Sequence, residues 1–243
     1  MPPLAYHGSM RPADPFTRLS DYPEHRAFVG QPQRYDLAGG SQFALLFLLG
    51  LREHHRLLDF GCGSLRLGRL VIPYLKAGGY FGIEPDRALV DAGLDHELGR
   101  DALTLRRPRF LHTSDFRADG FDTTFDFIIA QSVFSHTGVA WVRRALASFA
   151  QVLEPGGLVV ANFLLGPEGF GPSPETTDWV YPECVAYMPD RLQALAAEAG
   201  LVMRACPWPH PELHWFVFAR EEAALPPREA LGALRVAPPA WRS

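Results

Sequence analysis

Apolar and polar positions along this chain follow two periods in alternation. Short apolar runs bounded by Gly, Pro or Asp occur at 56–61, 80–84, 108–112, 125–130 and 158–163. Runs of that length, rich in Leu, Ile, Val and Phe, predict strands covered on both faces. Between them lie stretches with helical spacing at 65–76, 86–98 and 139–153, the last carrying Val142, Leu146, Phe149 and Leu153 on one face. A further helix is expected over 36–52, where Gln42–Leu49 is apolar nearly all round and so should be buried on more than one side, with Gly50 closing it. Another runs from Pro189 to Ala199, with Gly200 as its cap. Strand and helix in alternation predict an α/β doubly wound sheet with its ligand at the C-terminal ends of the strands.

Three segments break the pattern. Residues 1–40 are punctuated by Pro2, Pro3, Pro12, Pro15, Pro23 and Pro32 yet hold five aromatics, among them Phe16, Phe28 and Tyr35. They are expected to form an ordered arm over the domain. Residues 164–188, with Trp179, Tyr181, Cys184 and Tyr187, form an insertion after the fifth strand, where a long segment is expected to act as a lid walling a substrate pocket. Residues 221–243 are rich in Ala and Pro and are expected to be a loosely packed tail.

The chemistry concentrates in Asp59-Phe60-Gly61-Cys62-Gly63-Ser64, an acid and a Gly-x-Gly turn between the first strand and its helix. A dinucleotide fingerprint needs a third glycine at position 66, where Arg66 stands, and no Gly-Lys-Ser/Thr follows to make a P-loop. The next strand ends on Glu84, which lies 84 − 61 = 23 residues past the first glycine. An acid at about that offset is placed to receive a ribose diol. Ser114-Asp115-Phe116 follows the third strand, Gln131-Ser132 the fourth, and a Leu-x-Pro-Gly-Gly turn, 153–157, precedes the fifth.

In this order the motifs resemble the class I S-adenosylmethionine (SAM)-dependent methyltransferases over roughly residues 41–220. The resemblance implies a seven-stranded mostly parallel sheet of order 3-2-1-4-5-7-6 with strand 7 antiparallel, the stretches 201–206 and 214–219 forming its closing hairpin. It implies SAM as cofactor, with S-adenosylhomocysteine (SAH) as product. Asp59, Gly61, Cys62, Gly63 and Ser64 would line the methionine end, Glu84 and Pro85 the ribose, and Asp115 and Phe116 the adenine, with Gln131 and Ser132 alongside. One departure is Leu65, standing where the fuller motif has a third glycine, and Arg66 beside it is placed either to reach the SAM carboxylate or at the surface.

The remaining readings narrow the acceptor. After the fourth strand the chain lacks the Asn/Asp-Pro-Pro-Tyr/Phe of enzymes that methylate planar amino groups, and Gln131 stands where catechol O-methyltransferases place a metal-binding carboxylate, so no metal is expected. His136 is the candidate general base, able to titrate near neutrality; Tyr181, Cys184, His210 and His214 are weaker candidates. The 243 residues carry a formal charge of −4, which argues against a nucleic-acid partner. The clusters Arg66/Arg69 and Arg106-Arg107-Pro108-Arg109 read as solvated surface. Three scattered cysteines fit a reducing cytoplasm, and no apolar stretch is long enough to span a bilayer. The expected activity is methyl transfer to an oxygen or nitrogen of a small molecule. A protein or RNA methyltransferase and a catalytically silent SAM-binding protein are the alternatives, and oligomeric state is left open.

Overall fold

The computed structural model describes residues 24–167 and 170–235; expectations for 1–23, 168–169 and 236–243 lie outside the described residues. In chain order the elements are α1 (Glu24–Phe28), α2 (Tyr35–Leu48), β1 (Leu57–Phe60), α3 (Gly68–Tyr74), β2 (Tyr80–Ile83) and α4 (Arg87–Gly93). A wider π turn, Leu94–Leu98, continues α4, followed by α5 (Ala102–Leu105), β3 (Arg109–Leu111), β4 (Phe125–Ala130), α6 (Val139–Val152) and β5 (Leu153–Leu165). The chain then forms β6 (Ala186–Tyr187), α7 (Pro189–Glu198), β7 (Val202–Cys206), β8 (His214–Ala219) and α8 (Arg228–Gly232).

The strands assemble in the order β3-β2-β1-β4-β5-β8-β7, with β8 antiparallel to both its neighbours and β6 pairing β5 off the main path. This is the expected order, with β7 and β8 as its sixth and seventh strands. Alternating side chains divide between two cores. On one face Phe60, Ile83, Ile128, Phe163 and Phe218 pack against Val142, Phe149, Leu192 and Leu195 of α6 and α7. On the other, Leu57, Ile129, Val160 and Val217 pack against Leu45 and Leu46 of α2, Val71 and Ile72 of α3, and Val90 of α4.

Four expectations need correction. Leu37, Phe47 and Leu48 of α2 are exposed among the described residues, because this helix rests on the sheet with one face only. The helix after β1 starts at Gly68 and not at Leu65, since Leu65 has φ +63 and interrupts the helical path. β5 begins at Leu153: two steps along β4, Phe125 to Phe127, match five along β5, Leu153 to Leu158, so the Pro-Gly-Gly turn is a bulge inside the strand. Residues after 220 are not wholly loose, since Leu225 and Leu231 are buried in the second core. The insertion is tied at both ends, where Leu164 pairs Ala186 and Leu165 pairs Tyr187. Tyr187 is itself buried in the core. No helix among the described residues is long and apolar enough to cross a membrane.

Helices α2 and α4 reach the backbone of the turn after β1. A β-carbon on Gly39 would lie 2.4 Å from the Arg66 carbonyl oxygen, and one on Gly93 would lie 2.4 Å from that of Ser64. Gly40 has open space around it. Helix propensity alone favours alanine over glycine by about 1 kcal/mol. We therefore expect Gly40→Ala to raise the melting temperature. Gly39→Ala should lower it, because a clash with backbone costs about 1–3 kcal/mol and exceeds the propensity gain. Thermal melts of the two variants beside the wild type check the opposite signs.

Candidate active site at the strand ends

The turn Gly61–Leu65 leaves β1 with left-handed backbone at Gly61 (φ +79), Gly63 (φ +51) and Leu65. A side chain at Gly61 would meet Val133 Cγ2 at 2.5 Å, and one at Gly63 would meet Val29 Cγ1 at 2.7 Å. Glycine is required there both by conformation and by space. Leu65 shows that the missing third glycine changes the residue and not the backbone. Left-handed geometry costs a non-glycine residue about 1–2 kcal/mol, while burying a leucine side chain returns about 1.5–3 kcal/mol. Leu65 is fully buried, so the position is tolerable.

Glu84 follows β2, and its carboxylate spans the turn: Gly63 N–H donates to Oε2 and Asp86 N–H donates to Oε1, each at 3.0 Å. Burial pulls its pKa upward, opposed by those two backbone donors. Pro85 is exposed beside it, and Asp86 caps α4 through Ala88 N–H at 2.9 Å.

Asp59 and Cys62 face inward. The Tyr80 hydroxyl donates to Asp59 Oδ2 at 2.8 Å, inside a site where burial lifts the Asp59 pKa to about 7 against that hydrogen bond and the Arg66 charge. The Cys62 thiol is buried against Gly82, so only its backbone belongs to the turn. Arg66 is not solvated surface: Nη1 donates to the Val29 carbonyl at 2.8 Å and Nη2 to Gln131 Oε1, and desolvation lowers its pKa. The fold turns Arg66 in under the arm, where Val29 and Gln131 give acceptors to two of its five N–H groups.

At the end of β3, Asp115 accepts from Arg117 N–H at 3.0 Å, and Phe116, at φ +56, packs on Phe60 and Trp141 with ring centroids 5.9 and 5.1 Å away. At the end of β4, Gln131 Oε1 accepts from Gln42 and Arg66 while its Nε2 donates to Ser132 Oγ at 2.7 Å. Ser132, at φ +56, donates its N–H to Asn162 Oδ1 of β5 at 2.8 Å. The chain Gln42, Gln131, Ser132 and Asn162 was not foreseen, although an amide inside the apolar run Val159–Phe163 is the signal that marks it. Buried Arg66 Nε, Asn162 Nδ2 and Trp215 Nε1 have no partner among the described residues.

Two peripheral segments frame these ends. The first is the arm from α1 to the start of α2. Its His25 carbonyl accepts from Ser64 Oγ at 2.9 Å, and Tyr35 OH donates to the Ser64 carbonyl at 2.7 Å. Arg26 and His25 both bond Glu97. Burial draws the Glu97 carboxyl upward, but those partners outweigh it and hold it below the usual range. Ser64 therefore binds the arm with its side chain. The second segment is the insertion, which bonds the residues after β4: Val180 N–H to the His136 carbonyl at 2.9 Å and Val185 N–H to that of Ser135 at 2.7 Å. His136 Nδ1 donates to the Glu183 carbonyl at 2.7 Å, with Trp179, Tyr181 and Cys184 around the ring. Burial lowers its pKa, and the Glu183 hydrogen bond opposes this. The proton on Nδ1 leaves Nε2 with the lone pair.

The structure thus brings the glycine turn, Glu84, Asp115, Phe116, Gln131 and Ser132 to one edge of the sheet, with His136 farther along the segment after β4. Residues 58–159 match a family model described as a methyltransferase domain. The glycopeptide N-methyltransferase MtfA in complex with SAH has a similar fold at 15% identity and a TM-score of 0.54, over 74% of this chain and 88% of that one. Magnesium protoporphyrin IX methyltransferase (ChlM) from Synechocystis PCC 6803 with bound SAH is similar at 12% identity and a TM-score of 0.54, over 78% of this chain and 86% of that one. A SAM-dependent methyltransferase from Clostridium acetobutylicum ATCC 824 aligns at 11% identity and a TM-score of 0.53, over 74% and 89% of the two chains.

Asp59 carries a pH signature. Its folded pKa of about 7 lies above the ordinary carboxylate value of 3.8, so the folded state holds the proton that the unfolded state releases. Stability is then fully present below pH ~4 and is lost as pH rises toward ~7, a loss of a few kcal/mol from this group. Asp59→Asn should flatten that part of the profile, read by urea unfolding at a series of pH values between about 4 and 8. A variant profile parallel to the wild type would show that Asp59 is ionised throughout.

Proposed function

We propose that this protein binds SAM and transfers its methyl group to an oxygen or nitrogen of a small molecule, leaving SAH. The observation that carries the reading is the Glu84 carboxylate, held over the glycine turn by Gly63 and Asp86 N–H groups. A carboxylate has about four lone-pair sites, so two remain to accept a pair of vicinal hydroxyls. Gly61 and Gly63 meet the other requirement, a turn of bare backbone that a ligand can approach.

When bound, SAM supplies a methyl group on a sulfonium, which an in-line displacement can transfer. In this reading Asp115 receives the adenine amino group and Phe116 packs on the ring, with Gln131 and Ser132 bordering the cofactor from β4. The protein's main task is then to hold the acceptor at near-attack distance, worth about 7–11 kcal/mol. His136 Nε2 is the proposed base that takes the acceptor's proton; burial keeps the imidazole neutral and ready to do so near pH 7. A small acceptor is supported by the arm and the insertion bonded onto the rim, and by the charge of −4. We assign 1–40 as the cap and 41–220 as the methyltransferase domain, with the segment from 221 docked on it through Leu225 and Leu231.

Glu84→Ala should weaken SAH binding about a hundredfold by calorimetry, the equivalent of two charge-assisted hydrogen bonds. It should also abolish transfer of label from methyl-labelled SAM into the small-molecule fraction of a cell extract. Label arriving in protein or RNA would overturn the small-molecule acceptor, and equal SAH binding by both forms would overturn the role given to Glu84. His136→Asn should lower kcat about a hundredfold while SAH affinity holds; a fall in SAH affinity alone would make His136 a structural residue.

A further inference from the structure

The insertion presents two aromatic side chains to solvent beside His136. Trp179 is 55% exposed and Tyr181 46%. Single exposed aromatics are ordinary on a protein surface, but these two share a neighbour. Both rings lie against the His136 imidazole, with centroids 5.4 and 5.0 Å away, and stand steeply to it, at 59° and 77°. At such angles each ring keeps at least one face clear of the imidazole. The surface adjoins the strand ends that carry the glycine turn. A β-carbon on Gly61 would meet Val133 Cγ2, and the Val133 carbonyl accepts from His136 N–H at 3.1 Å. From the side of β3, Phe116 packs on Trp141, whose Nε1 donates to the Thr177 carbonyl at 2.8 Å, two residues before Trp179. Val180 N–H then bonds the His136 carbonyl, so 177–181 is held between Trp141 and His136.

Lone pair, ring faces and charge at this surface select the same kind of ligand. The His136 Nδ1 proton is given to the Glu183 carbonyl, so Nε2 holds the lone pair. Nε2 has no partner among the described residues and, unlike Ser135 Oγ before it, is not sealed from solvent. His136 as a whole is 8% exposed, and an acceptor this withdrawn from water is completed by an N–H or O–H donor. The faces of indole and phenol rings are negative and attract cations within about 6 Å. The charge of the segment has the same sign. Residues 164–188 hold four acids and no Lys, Arg or His. Asp178 and Glu183, which bracket the two rings in sequence, are exposed and make no ion pair among the described residues, whereas Glu175 is taken by Arg191. Cations on α6 are engaged elsewhere, Arg143 on Glu198 and Arg144 over the Trp141 ring at 5.8 Å. A neutral aromatic ligand would use the rings but not the acids, and an anion would be repelled by both.

We propose that His136, Trp179 and Tyr181 form the acceptor subsite and that it takes a small organic ammonium with at least one N–H, which narrows the methyl acceptor to an amine nitrogen. The acceptor role rests on the methyltransferase reading above; the cation site does not. The ammonium sits within cation–π range of the two rings and turns an N–H to His136 Nε2. Nε2 takes that proton, and the freed lone pair on nitrogen forms the new N–C bond while the C–S bond breaks, its electron pair staying on the sulfur of SAH. The product nitrogen is positive again, and His136 returns its proton to water.

The test titrates tert-butylammonium into the full chain by calorimetry, with and without SAH, beside tert-butanol, which has the same shape and a donor but no charge. The ammonium should bind at least about tenfold more tightly than the alcohol. Trp179→Leu should weaken ammonium binding about fivefold, one cation–π contact, and leave the alcohol and SAH unaffected. Tyr181→Leu removes the second ring and answers the same question if the first variant does not fold. Asp178→Asn with Glu183→Gln should weaken the ammonium by about two- to fivefold, less so at high salt. In the labelled-SAM assay the label should enter small molecules that a cation exchanger retains. Equal affinity for the two probes, or ammonium affinity unchanged by loss of either ring, would overturn the cation site. Label in a neutral or anionic small molecule would overturn the ammonium acceptor and leave the methyltransferase reading standing. Ammonium binding in the expected pattern by a protein that binds no SAH would remove the acceptor role and leave a cation site.

Discussion

The backbone of residues 61–66 is approached from three sides at van der Waals distance, and the rest of the structure accommodates that approach. Glycine at 39 and 93 lets α2 and α4 reach the carbonyls of Arg66 and Ser64, and glycine at 61 and 63 leaves room for Val133 and Val29. Cores packed to this density transmit small displacements. A shift of α2 by one methyl group would therefore move the turn, and with it the Gly63 N–H that orients Glu84. The site is held by contact between backbones more than by any single side chain.

Electrostatics reinforces that arrangement at a cost. Asp59 and Arg66 are both withdrawn from water beneath the turn, and burial pushes each toward its neutral form. Tyr80 and the Gln131 amide compensate in part, while Arg66 Nε, Asn162 Nδ2 and Trp215 Nε1 are left without partners. An unpartnered buried donor costs about 1–3 kcal/mol. Such groups cluster near the C-terminal ends of the strands, whereas the apolar faces of the sheet are continuous.

The peripheral segments bind the same edge by different physics. The arm is fastened by the Arg26 guanidinium and a His25 hydrogen bond on Glu97, with the Tyr35 ring under Arg26 at 4.6 Å. The insertion is fastened by backbone hydrogen bonds to 135–139 and by the short parallel pairing of β6 with β5.

The main strands and the positions of the glycine turn, Glu84 and Asp115 were legible in the sequence, and the strand order followed from the resemblance, whereas the Pro-Gly-Gly segment, expected as a turn before β5, is a bulge inside it. Those features are local: apolar runs, turn residues and fixed offsets act over a few residues or one strand–helix unit. Contacts between distant segments were not legible. Nothing near Arg66 signals that Val29 and Gln131 will enclose it, and a third glycine absent at Leu65 gave no sign that the left-handed backbone persists. Gln42 reaches Gln131 because α2 packs on the sheet, and Asn162 meets Trp215 because β8 pairs β5 antiparallel. The sequence by itself determined which elements form and which residues stand at strand ends. Only the tertiary structure decided which buried donors lack acceptors, because satisfaction of a polar group depends on every neighbour that folding brings to it.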